Sequence, residues 1–124
     1  MQNFRKLLVW TKSHSLALEV NELAKHIPRR DNAELISQLR RAALSVPANI
    51  AEGSSRDTDK DFARFLQIAL ASASELEYHL QYAVDADLIP RVDFDARQAE
   101  VIEVRKMLVG LIRRAKGIPK VRAV

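Results

Sequence analysis

The spacing of apolar residues constrains this chain most. In four stretches they recur at alternating steps of three and four, the period of one face of an α-helix. Leu16, Val20, Leu23 and Ile27 form the first stripe, and Pro28 stops it. Leu35, Leu39, Ala42, Val46 and Ile50 form the second, ending at Gly53. The third is the longest: Phe62, Leu66, Ala69, Ala73, Leu76, Leu80 and Ala83. Val101, Val104, Leu108, Leu111 and Ala115 make the fourth.

Punctuation between the stripes fits helices near 8–27, 32–54, 58–86 and 93–116. Asp31 with Glu34 has the spacing of a capping box, and so does Thr58 with Asp61. Asp93 is the candidate N-cap after Pro90. Gly117 and Pro119 close the last helix. The connections are short, so neighbours run antiparallel. The expected fold is all-α, an up-down-up-down four-helix bundle over residues 1–117 with a flexible basic tail at 118–124.

Two features depart from a plain bundle. Pro47 stands inside the second helix, where a missing N–H costs about 3 kcal/mol and calls for a kink or a compensating contact. Small residues also crowd two uncharged ten-residue runs, Ala42–Ala51 and Phe65–Ser74. They lie on more than one helix face. One face serves the core, and the other suits a second subunit.

Composition narrows the chemistry. There is no Cys among 124 residues, so disulfides, thiolate zinc sites and a Cys nucleophile are excluded. Three Gly residues do not build a phosphate-cradling loop. A di-metal carboxylate bundle needs Glu-x-x-His pairs. The three histidines, His14, His26 and His79, supply none. Glu22 with His26 and Glu75 with His79 are four apart and read as surface pairs. We expect no enzyme, cofactor or metal. The N-terminal apolar run, Leu7 to Trp10, is shorter than a signal-peptide core, and ten uncharged residues fall short of the ~20 that span a bilayer. The expected location is cytoplasmic, without membrane contact.

The net charge is +4, but its distribution says more. Residues 1–56 are basic on balance, 57–104 are acidic, and 105–124 carry basic groups and no acidic ones. Such segregation fits either solvated helix faces or a polyanion-binding surface. Arg40, Arg41 and Arg56 are the candidate phosphate contacts, with Arg113, Arg114 and Lys116 as a second patch. Trp10, Tyr78 and Tyr82 sit on helices, where core packing is the default.

Residues 40–53 read Arg-Arg-Ala-Ala-Leu-Ser-Val-Pro-Ala-Asn-Ile-Ala-Glu-Gly. A buried Asn49 needs partners. The residue 43 carbonyl, left without its donor by Pro47, is one candidate. Glu52 is expected to pair with Arg56 or with an arginine from elsewhere. The run resembles the 23S rRNA intervening-sequence family of bacterial four-helix bundle proteins. The resemblance continues through Phe4, Leu7, Val9-Trp10, Ile27-Pro28, Phe62, Phe65-Leu66, Ile68-Ala69, Ser72 and Glu75-Leu76-Glu77. The chain departs from the family pattern at Ile27, Glu34 and Ala71. The resemblance implies ring-like homopentamers without established enzymatic activity. It also implies nucleic-acid contact or a protein partner such as a reverse transcriptase, as for a related accessory protein of diversity-generating retroelements. On that basis Ser45, Pro47, Asn49, Glu52, Gly53, Ser72 and Glu75 are assigned to structure or to the subunit interface. The leading expectation is a nucleic-acid-binding oligomer. The alternative is a scaffold that docks a protein partner and has no direct nucleic-acid role.

Overall fold

Asn3 opens the fold. Its side-chain oxygen accepts the Arg5 N–H at 3.1 Å and sets a 3-10 turn over Phe4–Lys6. In the computed structural model, which describes residues 2–118, four helices follow: α1 (Leu8–Lys25), α2 (Ala33–Ser54), α3 (Asp59–Asp85) and α4 (Arg91–Ala115). No strand occurs among the described residues. The expected tail lies outside them apart from Ile118, as does Pro119.

The helix ends show which local signals won. Thr58 caps α3 as its spacing predicts, accepting the Asp61 N–H at 3.1 Å. Asp31 does not cap α2. Its φ is 68°, the left-handed region, whereas an N-cap residue is extended. Asn32 precedes the helix instead and donates back to the Pro28 carbonyl at 2.9 Å. Asp93 does not cap α4 either. The helix already starts at Arg91, with extended Pro90 before it, so Asp93 adds its charge to the first turn. Two helices end in the same six-residue closure. Leu88 N–H reaches the Ala83 carbonyl and Ile118 N–H reaches the Arg113 carbonyl, both at 2.8 Å. The left-handed residue this closure requires is Gly117 in one case and Asp87, with φ 60°, in the other.

Each helix packs on two neighbours. α1 touches α2 and α4, α3 touches α2 and α4, and neither diagonal pair brings its backbones together. That is a square four-helix bundle. Its centre holds Leu16, Val20, Leu39, Ile50, Leu66, Leu76, Leu80, Val101 and Leu108, all buried. The stripes expected in α1 and α3 are buried throughout; in α2 and α4, Leu35, Leu111 and Ala115 are half-buried, and Ile112 is buried beside the last two. The most extensive contact is between α2 and α3, where Ala42, Ala43, Ala69 and Ala73 are buried. Small side chains let two helix backbones approach closely, which explains the small-residue runs on their inner faces.

α2 remains helical through Pro47, whose ring is buried. Asn49 does not serve the residue 43 carbonyl. Its Nδ2 donates to Ser45, at 2.8 Å to the carbonyl and 3.0 Å to the hydroxyl. Residue 45 lies one turn back, directly under Asn49, whereas residue 43 is six positions away on another face.

Candidate nucleic-acid interface

The outer face of α2 builds the site. Ala33, Ile36, Ser37, Arg40, Arg41 and Leu44 fall at helical spacing, and the loop after Pro28 lays Arg29 beside them. Together they line an open cleft of ≈ 410 Å³. Ile36 is buried at its base, and Leu44 stands 64% exposed. Three guanidinium groups therefore surround an apolar floor.

Their partners differ. Arg41 reaches the Gln38 side chain and, at 3.4 Å, the Glu75 carboxylate of α3. Among the described residues, no carboxylate pairs with Arg29 or Arg40. The Arg40 Nε is buried and has no acceptor. A buried charged donor without an acceptor is costly, and the Arg56 Nε shares that state.

Arg56 belongs elsewhere. It lies fifteen residues beyond Arg41, roughly 20 Å along the helix direction. It pairs with Glu52 at 2.5 Å and lies 4.6 Å from the centroid of the Phe65 ring, which Arg64 also approaches at 4.6 Å. The alternating topology puts the end of α2 at the same end of the bundle as the end of α4, where Arg113, Arg114 and Lys116 sit. Arg113 and Arg114 border a separate apolar pocket of ≈ 390 Å³ with Leu7, Leu8, Met107 and Ile118. The six basic residues predicted as contacts thus fall into two groups at opposite ends of the bundle. Arg29, which sequence reasoning missed, joins the first. Its signal was the Pro28-Arg29-Arg30 run immediately before a helix that carries two more arginines.

Other charges are used within the chain. Arg97 of α4 holds Glu19 of α1 at 2.8 Å and Glu100 at 2.6 Å. Arg105 holds Glu77 of α3 at 2.6 Å, and Lys12 holds Glu103 at 2.5 Å. Burial and a hydrogen bond shared with Glu19 push the Glu100 carboxyl up from its ordinary value, against the pull of Arg97. Of the acidic segment, Glu75, Glu77 and Glu103 are thus matched across helices. Glu22 turns to Lys25 at 2.8 Å rather than to His26, and this contact lowers its carboxyl. Glu75 meets His79 at 3.2 Å, as its spacing predicts.

The remaining motif residues lie along the α2–α3 seam. The Ser45 and Ser72 hydroxyls are 2.8 Å apart. Gly53 faces Phe65 so closely that an added Cβ would stand 2.8 Å from the Phe65 Cβ. Outside the seam, Ala48 and Ala71 are exposed beside Leu44 and Ile68. Tyr78 and Tyr82 are also exposed, at 63% and 51%, contrary to the core placement expected of them. Trp10 is half-buried, edge-on to Phe4 at 4.9 Å and stacked on His14 at 4.7 Å. No helix among the described residues is long and apolar enough to cross a membrane.

The comparisons agree with the fold. The family model described as 23S rRNA-intervening sequence protein matches residues 5–110. A crystal structure of a protein of unknown function from the S23 ribosomal protein family of Bacteroides thetaiotaomicron is similar, with 28% identity and a TM-score of 0.78. The match covers 86% of this chain and 99% of that one. No curated protein matches.

Proposed function

The chain belongs to the 23S rRNA-intervening sequence protein family, and from that premise we propose that it is a non-catalytic, oligomeric protein that binds nucleic acid through its basic surface. The observation that carries the reading is the α2 cleft, where Arg29 and Arg40 have no carboxylate partner among the described residues and Arg41 has a distant one. Structural arginines are normally matched, as Arg97 and Arg105 are here. Unmatched ones grouped on one face suit phosphate oxygens, which guanidinium groups bind in a forked geometry. Arg56, Arg113, Arg114 and Lys116 add a second basic group at the other end.

Self-association is part of the proposal. Ala48, Ile68 and Ala71 leave an apolar, small-residue strip uncovered on α2 and α3. A ring of five copies, in a cytoplasmic setting, is the arrangement the family resemblance favours.

The test is binding to short RNA and DNA across a salt series, with solution mass measured in the same buffers. Phosphate contacts predict affinity that falls steeply and linearly in log–log form with salt. Arg40→Glu with Arg41→Glu should weaken it markedly without unfolding the protein. Unchanged affinity in that variant overturns the placement. A mass of one chain overturns the ring. Absence of binding at low salt together with nuclease-resistant capture of a protein supports the scaffold alternative.

A further inference from the structure

The α2 cleft is more than a basic patch. A patch that reads only the phosphates of a duplex has no use for an apolar floor, since a paired base keeps its faces stacked inside the helix. Here the guanidinium groups of Arg29, Arg40 and Arg41 surround Ala33, Ile36 and Leu44. The floor is built by helical spacing, and Leu44 holds most of its side chain in solvent at 64% exposure. Anionic oxygens beside a flat apolar body describe one nucleotide of a strand whose bases are unpaired.

We infer that the cleft binds a nucleotide of a single-stranded nucleic acid, the phosphate held by Arg29 and Arg40 and the base lying over Leu44. The inference rests on the nucleic-acid reading above and adds strand selectivity to it. Ser37 lies on the same wall and offers a hydroxyl to the sugar or base edge.

The experiment compares a short oligouridine with an RNA duplex of equal phosphate count, by fluorescence anisotropy on the full chain. Unaltered protein should bind the single strand more tightly, by roughly threefold or more, the scale of covering one exposed leucine side chain. Leu44→Ser removes the floor from an exposed position, so folding is retained. It should weaken single-strand binding roughly threefold or more and leave the duplex unaffected. Arg29→Gln should lower the single-strand salt slope by roughly 0.7, the share of one phosphate, while Arg29→Lys keeps the slope. Equal affinity for strand and duplex, or a Leu44→Ser variant with unchanged single-strand affinity, overturns the cleft proposal and leaves general nucleic-acid binding standing. Failure to bind either RNA at low salt overturns both.

Discussion

The hydroxyls of Ser45 on α2 and Ser72 on α3 meet at 2.8 Å, and Asn49 donates to Ser45 from one turn above. This is a polar bridge in a seam where Ala42, Ala43, Ala69 and Ala73 are buried. It fixes the two helices in register at a point where apolar packing alone would let them slide.

The bridge predicts a measurable coupling. Ser45→Ala and Ser72→Ala should each destabilise the fold, and the double variant should cost less than their sum. The interaction energy expected from a double-mutant cycle in urea is about 0.5–1.5 kcal/mol. Strict additivity would show that the two hydroxyls are satisfied separately by water.

The two helical glycines should respond with opposite sign. Gly53→Ala pushes a Cβ to 2.8 Å from Phe65 Cβ, an atom anchored on the α3 backbone, so the helices must separate. A loss of about 1–3 kcal/mol is expected. An alanine Cβ at Gly110 meets nothing within 4 Å. Gly110→Ala should stabilise by about 1 kcal/mol through helix propensity. Thermal melts of the two variants on either side of the unaltered protein would check this.

Asp87 occupies, with a φ of 60°, the position that glycine fills in the equivalent closure at Gly117. Asp87→Gly relieves that conformation and removes no hydrogen bond, because the closure uses backbone groups. A gain of about 0.5–1 kcal/mol is expected from chemical denaturation.

The Glu19–Arg97–Glu100 cluster gives a pH signature. Because burial and the Glu19 contact raise the folded-state value of Glu100, its protonated form is favoured by folding. Its contribution is fully present below the ordinary carboxylate value near 4.5 and is lost as pH rises through the raised one. Glu100→Gln should therefore flatten the pH dependence of stability just above pH 4.5, read from melts across mildly acidic buffers. Arg97→Ala leaves two carboxylates facing each other and should cost about 1–3 kcal/mol at neutral pH.

Helix periodicity made the core legible because burial in a bundle repeats with the helix itself. The same stripe could have placed Tyr78 and Tyr82 correctly, since neither shares a face with Leu76, Leu80 and Ala83. The helix starts were less legible. Asp31 and Asn32 compete for one cap, and the turn after Pro28 puts Asp31 in a left-handed conformation that spacing does not reveal. The cleft was half legible. Arg40 and Arg41 stand out as a pair on α2, but Arg29 reaches them through a loop, and loop geometry carries no period. Arg56 looks adjacent to them in the chain, yet a straight helix converts those fifteen residues into distance.

The alternating direction of the helices has an electrical consequence. Each peptide dipole in α1 and α3 is opposed by those of α2 and α4, so the backbone sums to little at a distance. The potential that a passing polyanion feels is then written almost wholly by side chains. Because those side chains project from faces that the core does not use, a handful of surface exchanges can redraw that potential while the framework beneath stays the same.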